Sequence, residues 1–462
     1  MSALASVLDH LDNDTDAAIE RLFELLRIPS ISTDPAFAAD CARTADWLVK
    51  DLETIGFKAQ AHQTAGHPII LAEDHDSAGP HVLFYGHYDV QPVDPLSLWD
   101  RDPFDPAVTA REDGTRQICG RGASDDKGQV MTFIEACRAW KRAAGRLPCK
   151  VTILLEGEEE SGGAHLPGFL DAHKERLSKA GIALVCDTSM WSPDTPAITT
   201  SLRGMASEEV IIHAASRDLH SGYYGGAAAN PIAILARALG QLHDGEGRVT
   251  LEGFYDGVSE PSDQVKEQWQ SLDFTAEEFL GEVGLKHPAG ETDRSCLELV
   301  WSRPTAEING ITGGYTGVGF KTVIPAQASA KVSFRLVGEQ DPKAVSKAFR
   351  AFINARIPPD CRAEFIEHGG SPAVTMPVEA PPFARARQAL SDEWETDAVF
   401  VGGGGSIPVV GEFKRKLGLD ALLIGFALDD DRIHSPNEKY DLRSFDKGRR
   451  SWARVLAALA EA

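Results

Sequence analysis

The sequence predicts an α/β fold in two parts: a main sheet covered by helices on both faces, and a smaller α+β layer inserted into it. Three observations carry this expectation. In the first and last parts of the chain, short continuously apolar runs alternate with stretches of helical periodicity, as buried strands and their crossover helices do. The middle third shows strict apolar and polar alternation instead, the mark of half-buried strands. Finally, 462 residues exceed what one compact core accommodates, so two domains are expected.

The first helix is predicted over residues 16–27, where Ile19, Leu22, Phe23 and Leu26 recur at helical spacing behind the capping cluster Asn13-Asp14-Thr15-Asp16, and Pro29 stops it. Buried strands are predicted at 81–85, 151–155, 182–186 and 422–426, with helices over 130–143 and 445–459. In the middle, 208–213 reads as a strand, Asn230-Pro231 starts a helix that runs through Leu242, and Ala328, Ala330, Val332 and Phe334 alternate along a further strand. Asp341-Pro342 starts a second helix carrying Val345, Phe349, Phe352 and Ile353, and a strand follows at 362–367. That order describes a sheet with two helices on one face. The stretch 244–319 reads as an irregular insertion within it. The expected division is therefore 1–198 with 373–462 for the larger, discontinuous domain and 199–372 for the inserted one.

Composition narrows the function classes. Apolar residues at 43% and charged residues at 25% are ordinary for a soluble globular chain. The 69 acidic against 46 basic residues give a net charge of -23, which repels a phosphate backbone and an anionic membrane surface, so neither nucleic acid nor membrane is an expected partner. Seven cysteines (Cys41, Cys119, Cys137, Cys149, Cys186, Cys296 and Cys361) contain no Cys-x-x-Cys pair and are odd in number. Reduced thiols in a reducing compartment follow, and no thiolate metal site. Residues 1–28 lack the basic start and apolar run of a leader, and no apolar stretch reaches 18 residues, so a cytoplasmic protein is expected.

In an open α/β sheet ligands bind outside the carboxyl ends of the strands, so polar residues that directly follow a buried run are the ones to examine. Four strands end that way. Residues 81–85 lead into Gly86-His87-Tyr88-Asp89, and 151–155 into Glu156-Gly157-Glu158-Glu159-Glu160-Ser161-Gly162. Residues 182–186 lead into Asp187, and 422–426 toward the segment from Asp429 to His434. Between the first two lies Gly120-Arg121-Gly122-Ala123-Ser124-Asp125-Asp126-Lys127-Gly128. Singly, each has an ordinary explanation: His87 as a satisfied core histidine, 158–160 as a solvated loop, Asp125-Asp126 as a helix cap, Asp187 as a turn residue. Together they would gather like charges at one sheet edge, where cations must neutralise them. Oxygen and imidazole donors without thiolate suit zinc, with manganese or cobalt as alternatives.

These segments, with Leu26-Arg27-Ile28-Pro29-Ser30-Ile31, Leu202-Arg203-Gly204, Asp218-Leu219-His220-Ser221-Gly222, Thr322-Val323-Ile324-Pro325, Gly404-Gly405-Ser406-Ile407-Pro408 and His434-Ser435-Pro436-Asn437-Glu438, make the chain similar over essentially its whole length to the di-zinc metallopeptidase family of aminoacylase, carboxypeptidase G and carnosinase. Its dipeptidase members are the nearest. The resemblance implies a zinc-peptidase-like catalytic domain with an inserted ferredoxin-like lid and dimerisation domain, a homodimer, and hydrolysis of a small peptide or amide by a water that two zinc ions activate. It assigns His87 and Asp187 to one zinc, Glu160 and His434 to the other, and Asp125, rather than Asp126, to both. Asp89 would accept the second ring N–H of His87. Glu159 would be the general base, with Glu158 the alternative one register away. His220 would stabilise the oxyanion in the partner's site. Arg335 would grip the substrate carboxylate, and Thr322, His368 and Ser406 would line the pocket.

The chain departs from that pattern at one point. Dipeptidase relatives read Arg-Glu-Gly-Gly-Ser-Ile-Pro where this chain has Gly402-Gly403-Gly404-Gly405-Ser406-Ile407-Pro408. The missing glutamate is a natural partner for a free substrate amine, so a deacylase or amidase of N-acylated amino acids stands as the alternative function. A catalytically silent metal-binding scaffold is the more distant one, because no predicted ligand and no predicted base is lost.

Overall fold

The computed structural model describes residues 3–272, 274–281, 283–405 and 407–461. It divides into two compact units, one formed by Met1–Thr200, Met376–Val401 and Glu412–Ala462, the other by Ser201–Thr375 and Gly402–Gly411.

In the first unit four strands lie parallel, in the order Lys150–Glu156, His81–His87, Ile182–Val185 and Ala421–Leu423. Ile69–Asp74 and then Lys58–His62 extend the sheet antiparallel on one side. Phe84 and Tyr85 are neighbours in one strand and so point to opposite faces. Phe84 stacks on Phe133 with centroids 3.8 Å apart and meets Trp452 edge-on at 5.8 Å, while Tyr85 meets Phe413 edge-on at 5.7 Å. The helices Lys127–Ala144 and Leu442–Ala460 therefore cover one face, and the helical turn Phe413–Leu417 lies on the other. All five rings are wholly buried, each contributing roughly 1.5–3 kcal/mol through its removal from water. Gly145, at φ 76°, ends the first of these helices in the left-handed conformation that glycine tolerates.

The predicted elements of this unit are present, with the 16–27 helix found as Thr15–Leu26 and the 422–426 strand shortened to Ala421–Leu423. Four elements near the start of the chain went unpredicted. Helix Ala3–Asn13 buries only Val7 and Leu11, and helix Ala38–Thr54 buries Cys41, Thr44, Ala45 and Asp51 alongside two leucines. Strand Lys58–His62 is a partly exposed Lys-Ala-Gln-Ala-His edge, and its partner Ile69–Asp74 has only the four-residue apolar run Ile69-Ile70-Leu71-Ala72.

The second unit is built on an antiparallel sheet in the order Thr305–Gly313, Gln327–Leu336, Gly204–His213 and Arg362–Ser371. The strand order is that of a ferredoxin-like layer. Val210, Ile212, Ala330, Val332 and Phe334 face Ile234 and Leu235 of helix Pro231–Leu239 and Phe349, Phe352 and Ile353 of helix Pro342–Asn354. Both helices start as predicted. The side chains of Asn230 and Asp341 accept the backbone N–H groups of Ile232 and Lys343, each at 3.0 Å, with proline in the first turn.

The stretch 244–319 is not simply irregular. It holds helices Asp263–Ser271, Ala276–Gly281 and Cys296–Trp301 and also the edge strand Thr305–Gly313. That strand escapes a period-two search because Ala306 is its one buried residue and the register shifts between Ile308 and Gly310. Residues 402–411 pack with this unit although the sequence predicts them in the other domain. A side chain at Gly402 would lie 2.6 Å from Trp301, and Arg203 donates its backbone N–H to the Gly403 carbonyl and its Nε–H to that of Gly404, at 3.3 and 2.9 Å.

Candidate metal centre

The four parallel strands bring their carboxyl ends to one edge. His87, the last residue of its strand, lies beside Glu156 of the next, and Tyr85 beside Val185, so Asp187 follows two residues beyond that pair just as His87 does. Asp125 precedes helix Lys127–Ala144. Glu159 and Glu160 stand in the single turn Glu159–Ser161, and His434 follows the turn Asp429–Asp431.

Asp125 stands at the centre. Its Oδ1 is 3.1 Å from His87 Nε2 and its Oδ2 is 2.9 Å from His434 Nε2. Asp187 Oδ2 lies 3.9 Å from His87 Nε2, and Glu160 Oε2 lies 3.2 Å from His434 Nε2. Two donor sets result, His87 with Asp125 and Asp187, and Asp125 with Glu160 and His434, each with its ligand atoms within 4.8 Å of one another. Two imidazoles and three carboxylates, one of them shared between the sets, match the chemistry of a two-cation site with oxygen and nitrogen donors. Each set could hold one divalent ion. The His434 side chain is 53% exposed and that of His87 fully buried, so the approach from solvent lies on the His434 side.

The electrostatics are those of carboxylates held close together. The protein packed around Asp187 raises its pKa well above the ordinary value, and the charges of Asp125 and Asp126 add to this. Burial alone would lower that of His87, but hydrogen bonds to Asp125 and Asp89 outweigh it and hold the ring well above its usual range. Asp125 is held low against its own burial by the two histidines. Bonds to Asp125 and then Glu160 push His434 up to about 10. Glu159 is raised by burial, with Glu160, Asp89 and Asp125 adding to it. Asp126, pushed up to about 7 by burial, faces away from this set: it accepts the backbone N–H of His87 at 3.1 Å and the Cys186 thiol at 3.2 Å. Glu158 also points elsewhere, with its Oε2 2.7 Å from His165 Nδ1.

His87 Nδ1 is 3.1 Å from the Asp89 carbonyl and 3.4 Å from the Asp89 carboxylate. Of the two Asp89 acceptors, the main-chain carbonyl is the nearer. A proton on Nδ1 leaves Nε2 free to act as a ligand. The Asp89 carboxylate instead accepts the backbone N–H groups of Glu159 and Glu160, at 3.3 and 3.0 Å. Two supporting residues had no predicted role. Gln91 donates to Glu160 Oε2 at 2.6 Å, and buried Glu438 accepts four hydrogen bonds from the segment that carries Asp125. Their positions in Gly86–Gln91 and in His434–Glu438, directly flanking ligand residues, were the available signal.

The remaining predicted residues belong to the second unit. His220 is exposed, and its Nδ1 accepts the Gly222 N–H at 3.0 Å, which places the proton of the neutral ring on Nε2. Arg335 lies opposite Thr305 and Met205 in the sheet. Its charge adds to burial in lowering the pKa of Arg203 to about 10, so two cations stand close together there. The Thr322 carbonyl accepts the Ser221 N–H at 3.0 Å, and His368 Nε2 is 3.4 Å from Glu209. Ser406 lies outside the described residues.

Acids and histidines gathered at the ends of parallel strands give the donor chemistry of a dinuclear metal centre. The chain matches peptidase family M20/M25/M40 over residues 83–458. It is 31% identical to the Cys-Gly metallodipeptidase DUG1 of Candida albicans, across 96% of this chain and 95% of that one. Among solved structures it resembles the di-peptidase Dug1p of Saccharomyces cerevisiae, with TM-score 0.81, 27% identity and all of both chains covered. It also resembles the M20 family metallo-carboxypeptidase Sso-CP2 of Sulfolobus solfataricus, with TM-score 0.82, 31% identity, and 96% and 99% of the two chains covered. The chain belongs to the M20/M25/M40 peptidase family and is a metallopeptidase.

Because His434 in the metal-free protein keeps its proton up to about pH 10, a divalent ion must displace that proton to reach Nε2. Metal affinity is therefore expected to rise with pH below that value, by up to about tenfold per pH unit for each proton released. Calorimetric titration of chelated protein with Mn2+ between about pH 6.5 and about pH 8.5 measures this. An affinity independent of pH would mean that His434 is not displaced from its carboxylate partners by the ion.

Proposed function

We propose that this metallopeptidase hydrolyses the amide bond of dipeptides and similarly small substrates, using His87, Asp187, Glu160 and His434 as the outer ligands of two metals and Asp125 as the ligand they share. One observation carries this reading: the two oxygens of a single buried carboxylate face two separate histidines. Zinc, or manganese or cobalt in its place, would supply Lewis-acid polarisation of the scissile carbonyl and would acidify water.

The chain's own groups do the rest. Glu159 takes the proton of the attacking water as its oxygen bonds to the carbonyl carbon, and returns it to the nitrogen as the C–N bond breaks. A pKa raised by burial suits a group that must accept and release a proton near neutral pH. Asp89 holds the turn that aims Glu159 and fixes the tautomer of His87. From the partner subunit of a homodimer, His220 offers its Nε2–H to the oxyanion. Arg335, with Arg203 beside it, receives the substrate carboxylate, and Thr322, His368 and Ser406 supply polar groups to the pocket. The chain works in the cytoplasm, a reading supported by its unpaired cysteines; among the described residues no helix is long and apolar enough to cross a membrane.

Glu159→Gln is expected to keep both metals and to lose roughly two to four orders of magnitude in turnover, with Glu158→Gln close to wild type. Asp125→Ala is expected to lose metal. Kinetics combined with metal analysis of the three variants decides the register, and an inactive Glu158→Gln beside an active Glu159→Gln would move the base by one residue.

If His220 acts across the dimer, His220→Ala loses about two to three orders of magnitude. Mixed with Glu159→Gln, it regenerates activity in heterodimers. A monomeric protein, or no rescue after confirmed subunit exchange, would remove the shared site.

The run Gly402–Gly405 favours a second reading, hydrolysis of N-acylated amino acids. A residue without a side chain at Gly403 leaves a substrate ammonium unpaired, and an unpaired buried charge is costly. Gly403→Glu should then raise activity on a free dipeptide relative to its N-acetylated counterpart. An unchanged ratio of kcat/KM values in folded, metal-loaded protein would place amine recognition elsewhere and leave the dipeptidase reading alone.

A further inference from the structure

We infer that Glu438 is a positioning residue that fixes the orientation of Asp125 and so holds both donor sets in register; this rests on the reading of Asp125 as the shared ligand. Glu438 is wholly buried. Its Oε2 accepts from Arg121 Nη1 at 2.6 Å and from the Gly122 N–H at 3.1 Å, and its Oε1 accepts from the Ser124 and Asp125 N–H groups at 3.0 Å each. The Gly120 N–H returns to the Glu438 carbonyl at 3.1 Å. A carboxylate whose only duty was to neutralise buried Arg121 would need none of the three backbone donors. Those donors belong to residues 122, 124 and 125, so the charge of Glu438 sets the path of the chain into the ligand.

The same short segment supplies His434, whose ring faces the other oxygen of Asp125. Both His434 and Asn437 adopt left-handed backbone, with φ 61° and 64°, uncommon for residues with a side chain. Asn437 is held there by accepting the Asp100 N–H at 2.8 Å and donating to the Leu98 carbonyl at 3.1 Å. On the other side, the Ser124 hydroxyl donates to Asp431 at 2.7 Å, and Asp431 is 2.6 Å from Lys439 Nζ. One segment thus presents one ligand and grips the main chain of another. Because the oxygens of Asp125 face opposite histidines, a small rotation of its carboxylate misplaces both sets together.

The decisive substitution is Glu438→Gln, which keeps shape and volume. All four groups directed at this carboxylate are donors, so an amide NH2 must oppose at least one of them, and the cage around Asp125 opens. Calorimetric titration of chelated protein with Mn2+, together with the rise in Tm that saturating Mn2+ produces, reads the effect without turnover. Expected is an apparent affinity about 10–100-fold weaker and a smaller metal-induced rise in Tm. Glu438→Asp, which keeps the charge, should fall between this variant and wild type.

A Glu438→Gln protein that is less stable without metal but has wild-type Mn2+ affinity and metal-induced Tm rise would overturn the inference and leave a structural role. If that variant does not fold, Glu438→Asp carries the comparison, and failure of both to fold would equally overturn it, since a residue that only places a ligand is dispensable for folding. Asp125→Ala separates the two readings. If it binds Mn2+ like wild type, the shared-ligand reading itself fails, whereas loss of metal there beside normal binding in Glu438→Gln defeats the positioning role alone.

Discussion

Asp125, Asp187, Glu159 and Glu160 are brought close together around His87 and His434 at one sheet edge, where their charges repel one another. The fold has to hold them there, and the arrangement of the first unit follows from that demand. Four parallel strands end at one level, and pairing His87 with Glu156 and Tyr85 with Val185 leaves the loops no freedom to slide apart. Aromatic packing on both faces, Phe84 on Phe133 and Tyr85 against Phe413, fixes the strand that delivers His87. That charge density is what two divalent cations would neutralise.

Three carboxylates anchor the loops of this edge by accepting backbone N–H groups of those loops. Asp89 takes those of Glu159 and Glu160, Glu438 those of residues 122, 124 and 125, and Asp126 that of His87. Backbone donors cannot rotate away as a lysine side chain can, so this scheme trades side-chain freedom for rigidity. Burial pushes the carboxyl groups of Asp126 and Glu156 up, to about 7 and about 8.

Much of this was legible in the sequence, and for physical reasons. Buried parallel strands must be apolar throughout, so 81–85, 151–155 and 182–186 stand out, and the polar residues that end them mark the ligand edge. The ferredoxin-like layer announced itself through alternation in 328–334 and through the caps at Asn230 and Asp341. The strand Thr305–Gly313 stayed hidden because an edge strand with exposed Ile308 and Ile311 has no buried face to impose alternation. The links from Gln91 to Glu160 and from Glu438 to residues 121–125 were equally invisible. They join positions dozens to hundreds of residues apart, and a polar side chain's partner is a property of the folded chain alone. Glu158 and Asp126 show the same limit at short range, since neighbours in sequence turn toward entirely different partners.

The central sheet also has a history written into its strand order. Ala421–Leu423 lies against Ile182–Val185 although the whole of Ser201–Thr375 intervenes between them. During synthesis, a chain extended as far as residue 375 already carries His87, Asp125, Glu160 and Asp187, yet the open side of Ile182–Val185 has no partner and neither His434 nor Glu438 exists. The intervening sheet is contiguous in sequence, whereas the pairing that closes the central sheet joins strands far apart along the chain, the kind of contact that loop closure makes costly. The stretch that completes the sheet is thus followed by His434 and Glu438, so the two donor sets around Asp125 are whole only when Ala421–Leu423 has found its place beside Ile182–Val185.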